Sequence, residues 1–469
     1  MPRLALEVFA GPTAGGLLVH DGAARPCVVA ADATLQAAGV RPGMPLAAAR
    51  ALCPQLLARR RRPARERQRL ERLAAWAGQF TPQVVLVPPR GLLLEVGGSR
   101  RLFGGLESLL GKIEAGFASL GAGACCALAP TPLAATWLAR ADSGCRLESF
   151  AGLVRALSAL PLGVLELDDK ALARLEGMGL RRLGDLLRLP RDGLARRLGP
   201  ELLERLDQAL GRRPDPRAPF EPPPRYRARQ DLALEAEAAD VLLPPVRQLL
   251  ESFCGWLRAR GAGVLAWRLE LLHHRRPPTR ILLKLSRPQS AVNELQALVE
   301  ARFAALELGA PVTGIALRSL EIEVLAPPSA GADLFDLRRR EARDPQWLVE
   351  RLRARLGRDA VRGIALREDY RPERAWAWCE PGDRGETAWL RQGLPLWLRV
   401  PAEPLEVREG GPWYRGPLRL HPERCRIESG WWDGRGVRRD YFLAEHPAGM
   451  RYWLYRTSAG DWFLHGVFG

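Results

Sequence analysis

Six prolines within residues 214–224 divide the chain into two parts. They are Pro214, Pro216, Pro219, Pro222, Pro223 and Pro224. Proline fixes its own φ and has no N–H to donate, so this segment favours a stiff, extended linker over a helix or a central strand. The chain has 469 residues, which is longer than a typical domain. We therefore predict three or four domains, with one boundary at the proline segment.

The part before the linker alternates between strand patterns and helix patterns. Strands are predicted in 15–31, near 83–96 and at Cys125–Ala129, and helices in 32–53 (interrupted by Gly39 and Gly43), near 104–120 and in 129–141. Strands that alternate with helices indicate an α/β core around one sheet. Residues 158–212 change character and are predicted to be purely helical.

The part after the linker predicts a second α/β unit and then a tail of different composition. Helices are predicted near 244–260 and 290–306, and strands in 264–274, 280–287 and 319–326. On pattern alone, residues 225–328 indicate only a ferredoxin-like module. One more helix is predicted at 344–356, and the Trp-, Pro- and Gly-rich remainder is typical of a small β-rich module.

Positive charge is the main compositional signal. The net charge is +17 and the pI about 10.4, which favours a polyanionic partner, with nucleic acid first and an anionic membrane second. Only three residues are lysine, so the arginine excess is also compatible with a GC-rich coding sequence. The densest run is Arg59, Arg60, Arg61 and Arg62, which lead into an amphipathic helix ending near Gln79. This run is either a phosphate-binding surface or a solvated helix face.

Several classes of protein are disfavoured. No segment approaches the roughly 20 apolar residues of a membrane span, and the first residues lack the order of a secretion signal. The eight cysteines include no CxxC pair, and Cys125 is adjacent to Cys126. We expect a reduced cytoplasmic setting, no membrane partner, no structural metal and no cofactor.

One stretch carries a family resemblance. Phe80–Gly98 reads FTPQVVLVPPRGLLLEVGG and resembles the palm signature of Y-family translesion DNA polymerases: Tyr-Ser-Pro, a short strand, Ser-Ile-Asp-Glu, then Leu-Asp-Val-Thr-Gly. The ends match in register, so the family's catalytic Asp-Glu pair falls on Arg90 and Gly91. Two-metal phosphoryl transfer needs clustered carboxylates. The resemblance therefore implies a polymerase-like protein that cannot polymerise.

The resemblance also implies that the nucleotide ligands are lost. Residues 38–54 resemble the fingers motif, and just before them the family's phosphate-holding Tyr and Arg fall on Ala33 and Gln36. Alanine offers no hydrogen bond and glutamine lacks the guanidinium charge. At the start of the chain, Leu4–Glu7 fit only the tail of the family's opening strand motif, and the steric-gate aromatic falls on Arg3. The first metal-binding Asp would precede residue 1, which a true start upstream would explain.

With these losses and with GWWDG at 430–434, the chain resembles the ImuB-like branch of the Y-family. The expected fold is an α/β multidomain chain with a Y-family-like palm, fingers, thumb and little finger and a small β-rich C-terminal module. The implied organisation is palm 1–157 with fingers inserted at about 25–79, helical thumb 158–213, linker 214–224, little finger 225–328 and C-terminal partner-binding region 329–469.

The branch implies a non-catalytic DNA-binding adaptor in SOS-induced mutagenic translesion synthesis. Its implied partners are DNA, the sliding clamp (β subunit), a RecA-like protein of the ImuA type and an error-prone replicative-type polymerase. The implied location is the bacterial cytoplasm, in association with the nucleoid. Lesion preference and oligomeric state do not follow from the sequence.

Two sets of contacts are predicted. Residues 172–190 have the rhythm of a helix-hairpin-helix, in which Gly177 and Gly179 let backbone amides approach a phosphate beside Arg181 and Arg182. A clamp-binding peptide carries a leucine and an aromatic residue that fill an apolar pocket. The first candidate is Ala332, Asp333, Leu334 and Phe335, with an ordinary loop as the alternative; the second is 392–397, where a structural role is also open.

Two questions remain open at this stage. The C-terminal aromatics form either a β-module core, a protein-docking face or a base-stacking surface; they are Trp431, Trp432, Tyr441, Phe442, Trp453, Trp462 and Phe463. The alternatives to an adaptor are a stand-alone damaged-DNA-binding protein and an active polymerase that uses Asp32 and Glu95 as metal ligands. Glu95 lies four residues after Gly91, about 13 Å along a strand, which is too far to replace the lost pair.

Overall fold

The computed structural model describes residues 1–10, 16–141, 144–325, 345–383 and 394–468. The chain forms two compact units, Met1–Arg338 and Arg339–Gly469. The proline segment lies inside the first unit, so the main division of the chain comes about a hundred residues later than the linker. Membership of the palm, fingers, thumb and little finger remains a prediction within this unit.

The first unit is mixed α/β. Its helices are α1 (Leu4–Glu7), α2 (Ala33–Ala37), α3 (Leu46–Leu52), α4 (Pro63–Ala77), α5 (Leu106–Ser119), α6 (Pro132–Arg140), α7 (Leu153–Ser158), α8 (Asp169–Gly177), α9 (Leu183–Leu187), α10 (Arg191–Leu198), α11 (Pro200–Ala209), α12 (Leu243–Arg258) and α13 (Val292–Phe303). Its strands are β1 (Phe9–Ala10), β2 (Leu17–His20), β3 (Val28–Ala31), β4 (Leu57–Arg60), β5 (Val84–Val87), β6 (Gly91–Leu94), β7 (Arg227–Ala236), β8 (Ala262–His273), β9 (Thr279–Gln289) and β10 (Val312–Val324).

The strands before the linker do not share one sheet, so that prediction is wrong. They form a three-stranded sheet of order β3-β2-β4 and a separate β5–β6 hairpin. The strand predicted at Cys125–Ala129 is reduced to one isolated bridge between Leu128 and Arg146. Gly123 and Pro130 flank this segment and leave few residues that could extend a ladder. Residues Leu4–Glu7, expected on a strand motif, form the short helix α1.

The strands after the linker build a five-stranded sheet that includes a strand from the start of the chain. The sheet order is β1-β7-β10-β8-β9. Strand β1 pairs in parallel with β7, with Phe9 opposite Asp231, while β7, β10, β8 and β9 pair antiparallel. The sheet therefore ties the two sides of the proline segment together. Neither β1 nor β7 was predicted; β1 is only two residues long and carries no readable pattern.

Trp76 of α4 also joins the two sides of the proline segment, through packing in the core. Its side chain is buried, and it packs where α4 meets α5 and α12. A Cβ on Gly116 would lie 2.2 Å from Trp76 Cζ2, and one on Gly255 would lie 2.1 Å from Trp76 Cδ1. Glycine is therefore needed on both neighbouring helices for the ring to fit, because real Cβ atoms cannot approach so closely.

Residues 158–212, predicted to be helical, contain a 3-10 turn and α8 to α11, and α7 ends where this region begins. Their leucines pack around the buried Trp137 and Leu138 of α6. Arg191 at the start of α10 donates to both carboxylate oxygens of Asp207 on α11, at 2.9 and 2.5 Å. This bidentate pair holds the last two helices together.

The second unit is β-rich, which confirms the expected C-terminal module. It contains α14 (Pro345–Leu356), β11 (Gly363–Leu366), β12 (Trp376–Cys379), β13 (Trp397–Arg408), β14 (Gly411–Trp413), β15 (Arg419–Ser429), β16 (Val437–Glu445), β17 (Arg451–Thr457) and β18 (Trp462–Val467). Strands β11 and β12 pair with each other, and the other six form a sheet of order β14-β13-β18-β17-β16-β15. Tyr441 stacks on Trp453 in its core, with ring centroids 4.1 Å apart.

Candidate nucleic-acid interface

The positions expected for the catalytic pair lie at the tip of the β5–β6 hairpin. Arg90 is exposed in the turn, and Gly91 opens β6 opposite Val87. A Cβ on Gly91 would lie 3.1 Å from both the Cβ and the carbonyl oxygen of Val87, so a larger side chain is crowded there. The Arg90 carbonyl accepts a hydrogen bond from the Met1 ammonium at 3.0 Å. Arg90 therefore lies at a hairpin tip, and its match to the family's metal-binding acids stays a prediction.

The two acids considered as substitutes hold backbone amides. Asp32 caps α2 by accepting from the Leu35 N–H at 3.0 Å, and its other oxygen accepts from the Leu17 N–H at 2.6 Å. Glu95 accepts from the Gly97 N–H at 2.8 Å. Across the described ranges, no group of three or more His, Cys, Asp or Glu side chains could hold a metal ion. Both carboxylates thus serve the local fold.

The two positions expected for lost nucleotide ligands lie together on α2. Ala33 is the first residue of this helix and is exposed. Gln36 donates from Nε2 to the Ala31 carbonyl at 2.7 Å, which fixes its amide against the preceding strand. Neither residue presents a positive charge to an incoming triphosphate.

Three of the four arginines in the run before α4 contact partners within the protein, although Arg62 itself is exposed. Arg59 donates to the Ala233 carbonyl at 2.5 Å, Arg61 donates to both oxygens of Glu66 at 2.8 Å, and Arg62 contacts Asp231 at 2.5 Å. Two of these contacts cross to β7, which the sequence order does not reveal. Arg60 is exposed. The sequence prediction treated the four as equivalent, whereas three of them have partners within the protein.

Two helices, α8 and α9, flank the turn of the predicted helix-hairpin-helix, and backbone amides of this turn are occupied. Gly177 ends α8, and Gly179 adopts φ +77° in the turn before α9. The N–H groups of Arg181 and Arg182 both donate to Asp185 Oδ2, at 3.0 and 2.9 Å. The hydrogen bond from the Arg182 N–H, and after it the one from the Arg181 N–H, lowers the pKa of Asp185. A phosphate at this turn would meet a carboxylate already capping the helix, so the exposed Arg181 and Arg182 side chains are the groups free to reach DNA.

The C-terminal aromatic residues divide into a buried or half-buried group and an exposed group. Tyr441 and Trp453 are buried, and the core interpretation extends to the half-buried Phe442, Trp462 and Phe463. In contrast, Trp431 and Trp432 are 81% and 57% exposed and pack edge to face at 5.6 Å. The core interpretation is therefore wrong for these two tryptophans.

A buried arginine fixes the turn that carries the exposed tryptophans. Arg371 is almost fully buried and donates to Asp433 Oδ1 at 3.0 Å and to the neighbouring Asp369. The hydrogen bond from Arg371 lowers the pKa of Asp433 to about 2. Gly430 and Gly434, on either side, adopt left-handed conformations. Sequence reasoning missed Arg371, because the two partners lie 62 residues apart.

The clamp-binding candidates are only partly described. Ala332, Asp333, Leu334 and Phe335 lie outside the described residues, as do Gln392 and Gly393 of the second candidate. In the rest of that second peptide, Leu394, Leu396 and Trp397 are exposed. Both candidates therefore remain predictions.

Comparison with known proteins identifies the family. Residues 15–140 match the impB/mucB/samB family. The chain is 31% identical over 475 residues to Protein ImuB of Caulobacter vibrioides (strain NA1000 / CB15N), which covers 92% of this chain and 100% of the relative. The chain belongs to the ImuB family. The expected resemblance is confirmed, and Protein ImuB of a second strain of the same species (ATCC 19089 / CIP 103742 / CB 15) matches equally well.

Solved structures of Y-family polymerases also match at low identity. The ternary complex of Dbh is 15% identical, with a TM-score of 0.36, over 66% of this chain and 92% of that one. The insertion ternary complex of Dbh DNA polymerase is 14% identical, with a TM-score of 0.37 over 66% and 93% of the two chains. DinB from Sulfolobus solfataricus is 15% identical, with a TM-score of 0.35 over 67% and 93%.

Membership of the ImuB family supports a role related to translesion DNA synthesis. Within the described part of the chain, none of the helices has the length and apolar character needed to cross a membrane.

Proposed function

We propose that this protein is a non-catalytic, polymerase-like adaptor in mutagenic translesion synthesis. It holds DNA and brings together the sliding clamp, a RecA-like accessory protein of the ImuA type and an error-prone polymerase that performs the synthesis. The observation that carries the proposal is the pair Arg90 and Gly91 at the hairpin tip, where the Y-family keeps two catalytic acids.

Electrostatics supports the loss of catalysis. Two divalent ions a few ångströms apart require several negative ligands to offset their mutual repulsion. Arg90 adds a positive charge at this place, and Gly91 supplies no ligand. The nearest sequence substitutes, Asp32 and Glu95, accept backbone hydrogen bonds that they would have to give up in order to bind metal.

The surface charge supports DNA binding. The chain carries a net charge of +17, and Arg60, Arg181 and Arg182 are exposed on the first unit. Lys and Arg contacts with phosphates bind DNA without reading its sequence. Such contacts suit a protein that must hold many damaged templates.

Exposed apolar groups support the recruitment of partner proteins. Trp431 and Trp432 project from a turn that Arg371 and Asp433 hold in one conformation. A rigid, exposed aromatic pair loses little conformational entropy on binding, which is typical of interface anchors. We assign clamp binding to Leu334 and Phe335, and docking of a second partner to the two tryptophans.

Primer extension tests the catalytic half of the proposal. The purified chain is incubated with primed template, all four deoxynucleotides and Mg²⁺ or Mn²⁺, and we expect no incorporation. An Arg90→Ala and Glu95→Ala preparation, purified identically, controls for contaminating polymerase. Template-dependent product from the wild-type chain that the substituted chain does not make would refute the proposal.

Clamp co-elution tests the adaptor half. We expect the chain to co-elute with purified sliding clamp and the double variant Leu334→Ala, Phe335→Ala to lose this behaviour. The matched control is Leu320→Ala, which removes an exposed leucine of β10. Equal clamp affinity in the double variant and in the wild type would move the assignment to 392–397. No co-elution of the wild type would leave a stand-alone DNA-binding protein.

A further inference from the structure

A cavity of about 670 Å³ lies between α4, the end of the proline segment and the five-stranded sheet. Its charged lining is mostly positive, because six arginines face three glutamates. The arginines are Arg65, Arg69, Arg72, Arg227, Arg229 and Arg318. Three of them recur along one face of α4, while the others come from β7 and β10, so the fold assembles the cluster from distant parts of the sequence.

Two of these arginines are buried with unsatisfied nitrogens. Arg69 is 4% exposed and Arg72 is 7% exposed. Arg69 donates from Nη2 to the Leu120 carbonyl, and Arg72 donates from Nη2 to Gln230 Oε1 at 2.9 Å. Among the described residues, Nε and Nη1 of Arg69 and Nε of Arg72 have no hydrogen-bond partner. Buried donors without acceptors are costly, and an anion that supplied acceptors would lower that cost.

One buried acid, Glu7, forms an ion pair with Arg69 but makes no hydrogen bond to it. Glu7 Oε2 lies 3.8 Å from Arg69 Nε, beyond hydrogen-bond distance, and its other oxygen accepts from the Gly123 N–H. Burial raises the pKa of Glu7. Burial and the neighbouring Arg72 charge lower the pKa of Arg69 to about 9. Burial is the first cause of both pKa shifts.

Glu270, on the opposite wall, forms ion pairs with arginines other than Arg69 and Arg72. It is 5% exposed and lies within 3.5–3.8 Å of Arg268, Arg280 and Arg318. Its charge is therefore already balanced at the sheet surface. Arg69 and Arg72 share one buried acid, Glu7, so the cavity floor keeps an excess positive charge that an entering anion would pair with.

We propose that this cavity binds a small phosphate-bearing anion, such as inorganic pyrophosphate or the terminal phosphates of a nucleotide, through Arg69 and Arg72. A terminal phosphate carries close to two negative charges and three acceptor oxygens, and three nitrogens of Arg69 and Arg72 lack an acceptor. A backbone phosphodiester carries one charge and is substituted on two sides, so it reaches a buried floor less well. The volume falls in the range of small-ligand sites, about 300–1,000 Å³.

Titration calorimetry of the full chain with sodium pyrophosphate, at constant ionic strength set with NaCl, tests the proposal. We expect one site and a loss of affinity of about 10-fold or more in Arg72→Gln, because a charge-assisted hydrogen bond contributes on the order of 10- to 100-fold. Glutamine keeps a donor for Gln230. The matched control is Arg302→Gln on α13, an exposed arginine outside the cavity lining, which should bind as the wild type does.

Two further arms keep the proposal falsifiable. If Arg72→Gln does not fold, Arg318→Gln at the half-exposed rim should still weaken pyrophosphate binding several-fold. A deoxythymidine decamer with a 5′-hydroxyl end serves as the DNA probe. If the decamer binds and depends on Arg72 while pyrophosphate does not bind, the cavity contacts the DNA backbone and the proposal is overturned. Wild-type affinity for pyrophosphate in both variants overturns it equally.

Discussion

The arginine run before α4 gives the sharpest test of how this fold uses its charge. Arg61 donates two hydrogen bonds of 2.8 Å to Glu66, whose side chain is 7% exposed, while the Arg61 side chain is 37% exposed. Arg60, the preceding residue, is exposed. We predict that Arg61→Ala destabilises the protein without affecting DNA binding. We predict that Arg60→Ala weakens DNA binding without destabilising the protein.

The two substitutions should lower the free energy of unfolding by amounts that differ several-fold. Removing Arg61 leaves the buried Glu66 carboxylate without its cation. A hydrogen bond to a charged group contributes about 1.5–3 kcal/mol, and since Arg61 is more than one-third exposed we expect the lower end, about 1.5 kcal/mol. Arg60→Ala should change stability by less than about 0.5 kcal/mol. If Arg60 neutralises one phosphate, its loss lowers the slope of log K against log salt by about 0.7–0.9.

Two assays on the same preparations separate the effects. Urea unfolding followed by tryptophan fluorescence reports stability, and fluorescence anisotropy of labelled DNA between about 50 and 200 mM NaCl reports the salt slope. The reasoning is refuted if Arg61→Ala is as stable as the wild type. It is equally refuted if Arg61→Ala lowers the salt slope and Arg60→Ala leaves it unchanged.

Three further predictions follow from local geometry. Gly255→Ala should destabilise the first unit by about 1–3 kcal/mol through overpacking against Trp76, measured by urea unfolding, whereas Gly111→Ala, where a Cβ meets nothing within 4 Å, should not destabilise it. The pKa of Asp433 is about 2 in the folded chain against an ordinary 3.8, so its stabilising effect is complete above about pH 4 and disappears as the pH falls through 2. Acid titration of tryptophan fluorescence should show this loss, and Asp433→Asn should abolish that pH dependence. Asp185→Ala should uncap α9, detected as faster hydrogen exchange in 181–187, while Asp185→Asn should retain part of the cap.

Local signals in the sequence predicted most of the regular structure. The helix expected in 129–141 begins at Pro132 after Thr131, whose hydroxyl accepts from the Ala134 N–H, as the capping preference indicates. The assignment of the lost catalytic pair to Arg90 and Gly91 stays a prediction from the register of the two ends of the motif. The structure places Arg90 and Gly91 at the hairpin tip, as a strand–turn–strand reading requires.

Non-local contacts account for what was not predicted. Arg62 meets Asp231 across 169 residues, and no periodicity in the sequence encodes that approach. The same limit hid the cavity around Arg69 and Arg72, since its walls come from segments far apart in the chain. For Trp431 and Trp432, alternation suggested burial, but the left-handed Gly430 and Gly434 turn the segment outward.

Phe9–Ala10 pairs in parallel with β7, so the segments before and after the prolines are joined by strand pairing as well as by the peptide chain. Gln230 donates to the carbonyls of Glu7 and Val8, and Arg59 donates to the carbonyl of Ala233, so backbone from each side is bound by the other. A protease that nicked the chain within 214–219 would leave two fragments that stay associated. The gene could accordingly be split at that point and the halves co-expressed, because reassembly relies on the interface and not on the tether.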